Sequence, residues 1–290
     1  MAVPTLTDAP MSPDKPSDKS SHRSSPYVHG YGPRELQRLQ DQASALVELL
    51  HADTAYPAGA RVLEAGCGVG AQTVTLAARS PLAHVTALDR SAPSLAEARA
   101  RVAAAGLSNV VFEEADIFAL PFAPASFDHV FLCFVLEHLG RPREALRALG
   151  EVVRPGGTIT VIEGDHGSAL FHPDSDDARR AIGCQVALQA RAGGDALIGR
   201  RLHPMLVEAG FAEPRVSPRL VYADGSRPDL ATGFTRRTFT TMIAGVRMAA
   251  IEAGLTRPAD FDRGIADLNR TAESDGVFCY TFFKAVAVKR

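Results

Sequence analysis

Positive charge is not in excess in this chain: 31 Lys and Arg stand against 33 Asp and Glu, a formal net charge of −2. Without a broad basic field there is little to attract a polyanion, which argues against a nucleic-acid partner. Cysteine is scarce and scattered. Cys67, Cys133, Cys184 and Cys279 form neither Cys-x-x-Cys pairs nor the Cys/His spacing of a metal site, so reduced thiols and no metal are expected. No apolar run approaches the roughly 20 residues of a membrane span, and the N-terminus lacks the charged-then-apolar layout of a signal peptide. The expected location is the cytoplasm, with no membrane partner. What is present is ordinary: 46% hydrophobic and 22% charged residues over 290 positions, enough to bury a sizeable core.

Residues 1 to about 25 are rich in Pro, Ser, Asp and Lys with almost no large apolar side chains, so nothing offsets the entropy of ordering them, and they read as a disordered tail. Residues 26–58 read as a lid segment and a helix. Tyr27-Val28-His29-Gly30-Tyr31-Gly32 suits a lid over a ligand, or aromatic anchoring of the tail. From Pro33 to Leu50 the apolar Leu36, Leu39, Ala43, Leu46, Val47 and Leu50 recur at helical steps.

Residues 59–290 form the main domain. Strand-like runs at Arg61 to Ala65, His84 to Leu88, Val110 to Glu114, Phe127 to Cys133 and Thr158 to Glu163 alternate with Ala/Leu/Arg-rich helical segments. This repeated β-α-β order predicts an α/β fold, a mostly parallel sheet with helices on both faces and ligands beyond the carboxyl ends of the strands. Two insertions, about 164–200 and 224–275, carry helices expected near Asp177 to Arg191, Arg237 to Ala253 and Asp260 to Thr271, and would form a cap. Strands from about Pro214 to Val221 and from Val277 to Val288 complete the sheet.

The strand ends concentrate the chemistry. The first runs into Glu64-Ala65-Gly66-Cys67-Gly68-Val69-Gly70, where glycine removes the Cβ that would block a left-handed turn and the close approach of a ligand. Asp89 ends the second strand, where a carboxylate can accept hydrogen bonds from two ribose hydroxyls. Ala115-Asp116-Ile117 follows the third, an acceptor for an adenine amine beside an apolar surface. The 66-68-70 spacing lacks the third glycine of a dinucleotide fold and the Lys-Ser/Thr of a phosphate loop, and Glu64 repels phosphate while suiting an amino group. An adenosine cofactor with a cationic amine and no phosphate fits best; an NAD-dependent dehydrogenase is the main enzyme rival.

These motifs, with Phe127-Asp128, Leu136-Glu137-His138-Leu139 and Val153-Arg154-Pro155-Gly156-Gly157, occur in the order found in class I S-adenosylmethionine-dependent methyltransferases. The chain resembles that family closely over roughly residues 60 to 165, and is most similar to its ubiquinone/menaquinone-biosynthesis-like branch. The resemblance implies a Rossmann-like seven-stranded sheet with the last strand antiparallel, S-adenosylmethionine as cofactor and S-adenosylhomocysteine as product. By position it implies Glu64, Gly66, Cys67 and Gly68 around the methionine part, Asp89 at the ribose, Asp116 and Ile117 at the adenine, and Phe134 beside the sulfonium, where an aromatic face favours a cation; Tyr31, Gln72, Arg90 and Ala115 are further cofactor-binding candidates.

Glu163-Gly164-Asp165-His166 ends the fifth strand, where a methyl acceptor would stand, and gathers groups able to remove a proton; the alternative is a polar loop capping the next helix. Glu163 and His166, with Tyr27 and His29 of the lid, are the candidate catalytic residues. The layout also looks like bacterial secondary-metabolite methyltransferases, including enzymes that methylate carbon 3 of an indole in tryptophan-containing cyclic dipeptides. A small-molecule acceptor is therefore expected, with a phenol or quinone precursor as the alternative, and a monomer or homodimer. A DNA amino-methyltransferase is disfavoured because Leu132-Cys133-Phe134-Val135-Leu136 replaces its Asn/Asp-Pro-Pro-aromatic cluster. A non-catalytic S-adenosylmethionine-binding protein remains the alternative of another class.

Overall fold

The computed structural model describes residues 46–290. The expected tail, the lid residues Tyr27, His29 and Tyr31, and most of the Pro33–Leu50 helix lie outside the described residues. The first described element, α1 (46–51), buries Leu46, Leu50 and His51 against the sheet.

The expected alternation follows: β1 (Arg61–Ala65), α2 (Ala71–Arg79), β2 (His84–Asp89), α3 (Ala92–Ala104), β3 (Val110–Glu114), β4 (Phe127–Cys133), α4 (Pro142–Val152) and β5 (Val153–Gly164). Then come β6 (Leu170–His172), α5 (Asp176–Arg191), α6 (Leu202–Glu208), β7 (Phe211–Asp224), α7 (Pro228–Leu230), a π-helical stretch (Ala231–Thr240), α8 (Thr241–Gly245), α9 (Arg247–Glu252), α10 (Pro258–Arg270) and β8 (Val277–Lys289). The sheet order is β3-β2-β1-β4-β5-β8, with β7 on the far edge of β8. Strand β8 pairs antiparallel with β5, β6 and β7, while β1 to β5 run parallel. Among the described residues the sheet has eight strands, not the expected seven. The extra one, β6, continues the β5 edge of β8: Gly164 pairs with Phe282 and, beyond a short loop, Leu170 pairs with Cys279. It supplies partners for backbone groups at the start of β8 that β5 is too short to reach.

Both faces of the sheet are covered, so its strands read as apolar runs: Val62 and Leu63, neighbours on opposite faces, are both fully buried. On one face α4 and α6 pack Leu146, Leu149, Met205 and Leu206 against Val130, Leu132, Val161, Ala285 and Ala287. The other face carries α1 and the two insertions, which pack on each other. Ser175 caps α5 and also hydrogen-bonds Asp267 of α10, and a Cβ on Gly264 would lie 2.4 Å from the Asp177 carbonyl, so the two helices cross closely. The helix expected at Arg237 to Ala253 starts earlier, is π-helical to Thr240 and breaks at Val246. Thr238 and Thr241 donate their hydroxyls to carbonyls five residues back, bonds matching that wider winding. This stretch seats Phe234 and Phe239 on Phe278, Tyr280 and Phe282 of β8.

One buried cation ties the N-terminal side to the sheet. Lys284 of β8 is 2% exposed, and its Nζ donates to the Leu50 carbonyl (3.2 Å), Asp53 Oδ1 (2.6 Å) and Thr54 Oγ1 (2.6 Å). Arg219 of β7 reaches the other Asp53 oxygen. Partial burial works against ionisation of Asp53, but Lys284 and Arg219 outweigh it and hold the carboxyl at about 2, against an ordinary 3.8. Lys284→Met should lower stability by about 2 kcal/mol, less than for a fully buried pair because Asp53 is half exposed. Calorimetric melting at pH 7 checks this, and an unchanged midpoint would refute it. The Asp53 contribution is present above pH 4 and is lost as the pH falls toward 2, so the gap between wild type and Lys284→Met should narrow in that range.

Candidate active site

The turn after β1 is held open by its glycines and fastened by its backbone. Gly66 and Gly68 sit at φ 78 and 51, the left-handed region. A Cβ on Gly66 would lie 2.7 Å from Val135 Cγ2, whereas one on Gly68 would meet nothing within 4 Å. Gly66 is thus required by a neighbour, while Gly68 faces open space. The N–H groups of Gly66 and Cys67 both donate to the Leu88 carbonyl (2.8 and 2.9 Å), and Gly68 N–H donates to Asp89 Oδ2 (2.8 Å). Asp89 Oδ1 accepts from Ser91 N–H (2.9 Å), so this carboxylate organises the loop from β2.

Glu64 is 2% exposed, and its Oε2 has no hydrogen-bond partner among the described residues. Burial raises its pKa to about 7; nearby Thr73 opposes the rise and Asp89 adds to it. A buried carboxyl lacking a counter-ion beside an open glycine turn fits a ligand that brings its own cation. Cys67 is buried, and burial pushes its thiol up, away from nucleophilic reactivity. Gln72 Oε1 is engaged by His51 Nε2 (2.7 Å), a ring that burial holds neutral with a pKa of about 4.

The adenine-side candidates assemble at the ends of β2 and β3. Ala115 N–H donates to the Asp89 carbonyl (3.1 Å), Ile117 is buried, and the exposed Asp116 accepts from Phe118 N–H (2.9 Å), closing the turn. Arg90 is exposed next to Asp89. An exposed carboxylate, Asp116, a buried apolar side chain, Ile117, and the loop-organising carboxylate of Asp89 thus lie on neighbouring strand ends.

The turn after β4 differs from expectation in how it is held. Phe134 adopts φ 59, donates its N–H to the Ile162 carbonyl (2.9 Å), and rests its ring 5.3 Å from that of Phe282. Glu163, expected to face a methyl acceptor, is wholly buried, and its Oε1 accepts from the N–H groups of Val135 (3.0 Å) and Leu136 (2.7 Å). Burial first, and then the carboxylate of Glu137, raise its pKa well above the usual range. Its Oε2 has no hydrogen-bond partner among the described residues. Asp165 also departs from the cluster of proton-removing groups read from the sequence: it accepts from Gly167 N–H (3.0 Å) and takes both prongs of Arg200, which makes it the cap of the turn that follows.

His166 is buried with its Nδ1 2.7 Å from the hydroxyl of Tyr280, and its backbone N–H donates to the Ala196 carbonyl (2.9 Å). The Tyr280 hydroxyl lies where a Cβ on Gly164 would be, 2.4 Å away, so Gly164 is what admits it. Burial lifts the Tyr280 pKa well above its usual range. Sequence reasoning assigned Tyr280 no role, although the period-two alternation of Phe278, Tyr280 and Phe282 marks all three as inward-facing. Tyr27, His29 and Tyr31 lie outside the described residues. Among the described residues no group of three or more His, Cys, Asp and Glu side chains lies within metal-binding reach, and no helix is long and apolar enough to cross a membrane.

Residues 62–157 match the family model described as a methyltransferase domain. The chain is 36% identical over 186 residues to trans-aconitate 2-methyltransferase of Deinococcus radiodurans, covering 63% of this chain and 67% of that protein. It is 32% identical over 134 residues to 27-O-demethylrifamycin SV methyltransferase of Amycolatopsis mediterranei, 46% of this chain and 49% of that one. Against several other curated relatives the chain spans between 24% and 54% of their length. Geranyl diphosphate C-methyltransferase from Streptomyces coelicolor, solved with S-adenosyl-L-homocysteine, shares the fold at a TM-score of 0.51 and 13% identity, over 85% of this chain and 79% of its own. With its cofactor-side strand ends inside the matched domain and the trans-aconitate enzyme aligned well beyond it, the chain belongs to the S-adenosylmethionine-dependent methyltransferase family.

Proposed function

We propose that this protein transfers a methyl group from S-adenosylmethionine to a small aromatic acceptor held between the strand ends and the helical layer of the two insertions. The observation that carries the cofactor half is the buried oxygen of Glu64, without a hydrogen-bond partner among the described residues, beside Gly68, where an added Cβ would meet none of them within 4 Å. In this reading Glu64 holds the ammonium of the methionine part near Gly66, Cys67, Gly68 and Gln72. Asp89 receives the ribose hydroxyls on its remaining lone pairs with Arg90 beside it, and Ala115, Asp116 and Ile117 hold the adenine. When bound, the cofactor supplies an electrophilic methyl on a sulfonium leaving group.

The protein's task is then alignment, exclusion of water and removal of a proton. The ring of Phe134 offers its face to the sulfonium side. The acceptor half is read at the half-buried ring of Phe134, backed by the buried aromatic cluster of Phe282, Tyr280, Phe234 and Phe239, and at the adjoining buried His166–Tyr280 pair. With Tyr280 hydrogen-bonded to Nδ1, His166 is the group that takes a proton from an acceptor N–H or O–H. Tyr31 beside the cofactor and Tyr27 and His29 beside the acceptor complete this reading as a lid. The specific acceptor proposed is the indole of a tryptophan-containing cyclic dipeptide, methylated at carbon 3 as the indole N–H is lost; a phenol or quinone precursor is the second reading. Mass spectrometry of indoles, phenols and quinones incubated with the protein and labelled cofactor tests it. A carbon-linked methyl on an indole supports the reading, and modification of a quinone precursor alone overturns it. Cofactor binding with no transfer to any acceptor would favour the non-catalytic alternative.

Two outcomes are expected. A bound ammonium pulls the Glu64 pKa down from about 7, so S-adenosylhomocysteine binding at pH 6 should release a proton, and affinity should rise with pH and level off above about 7. Glu64→Gln should abolish the proton release and weaken binding about tenfold or more; titration calorimetry in two buffers of different ionisation enthalpy reads both. Separately, His166→Ala should cut turnover about a hundredfold or more and Tyr280→Phe about tenfold, with S-adenosylhomocysteine affinity within about twofold of wild type. Wild-type turnover in both variants would remove this pair from the reaction.

A further inference from the structure

Phe134 holds a left-handed backbone conformation, which a bulky side chain adopts at a cost and keeps only where the surroundings over-determine it. On one side its own N–H is bound to the Ile162 carbonyl. On the other, the next two N–H groups, of Val135 and Leu136, converge on a single oxygen of Glu163, the concave pair of donors that follows a left-handed residue. The oxygen comes from β5, 27 and 28 residues away in sequence, so the turn is fixed by tertiary structure.

The same turn touches both halves of the site. Val135 lies where a Cβ on Gly66 would be, against the cofactor loop, and the Phe134 ring leans on Phe282 of the aromatic cluster. We infer that Glu163 is a positioning residue: its Oε1 clamps the Phe134-Val135-Leu136 turn and so sets the distance between the cofactor loop and the aromatic cluster, in place of the proton-removing role read from the sequence. This rests on the methyltransferase reading above for its functional consequence, and on hydrogen bonds alone for its structural one. Burial and the neighbouring Glu137 favour the protonated acid, whose shape and acceptor oxygen a glutamine reproduces.

Glu163→Gln and Glu163→Ala separate the roles. The clamp predicts that Glu163→Gln keeps turnover within about threefold, keeps the pH profile and keeps S-adenosylhomocysteine affinity. Glu163→Ala should lose affinity about tenfold or more, along with turnover, and lower the melting temperature that Glu163→Gln preserves. A hundredfold loss of turnover in Glu163→Gln with affinity intact would make Glu163 a proton acceptor and overturn the inference. So would a Glu163→Ala protein that binds S-adenosylhomocysteine as wild type does. If the wild type itself fails to bind S-adenosylhomocysteine, the methyltransferase reading fails, and the clamp stands or falls on the melting temperatures of the two variants.

Discussion

The antiparallel strand β8 is the constraint on which the rest of the molecule depends. It closes the open edge of β5, accepts β7 along its whole length and leaves an end that β6 fills. Its alternation then divides labour between faces: Ala285 and Ala287 are small enough to let α6 approach, while Phe278, Tyr280, Phe282 and Lys284 face the insertions and α1. One strand thereby builds the aromatic cluster, the hydroxyl beside His166 and the cation that anchors the N-terminal side. A register slip of one residue would exchange the two faces and lose all three.

Two buried carboxyls divide the site into halves of different character. Glu64, near the end of β1, has an oxygen that no group among the described residues satisfies, which is costly unless a ligand brings a cation. Glu163 ends β5 with one oxygen committed to two backbone donors, so much of its hydrogen-bonding capacity goes to shape. Both have raised pKa values for the same first reason, removal from water. What separates them is the backbone around each: a glycine turn that opens at Gly68 in one case, and a left-handed Phe134 that needs holding in the other.

Much of this was legible in the chain. Strand and helix alternation and the acidic strand ends are local patterns, set by periodicity of two or 3.6 and by residues whose chemistry is visible one at a time. Less legible were β6, three residues whose only reason to extend is an unpaired edge on a distant strand, and the π-helical winding, which follows threonine back-bonding. Tyr280 carried a signal in its alternation, but its partner His166 is 114 residues away.

The sequence by itself determined the fold class, the order of the strand ends and the kind of cofactor they suit, because each depends on residue type at short range: glycine for a turn, a carboxylate for a cation or a ribose. Tertiary structure alone decided what each polar side chain at the end of β5 does. Asp165 belongs to Arg200, Glu163 to the backbone of the β4 turn, and His166 to Tyr280. A side chain's role depends on which partners the fold sets against it once water is excluded: Val135 and Leu136 meet Glu163 only when β4 lies beside β5, and Tyr280 meets His166 only when β8 lies beside β5.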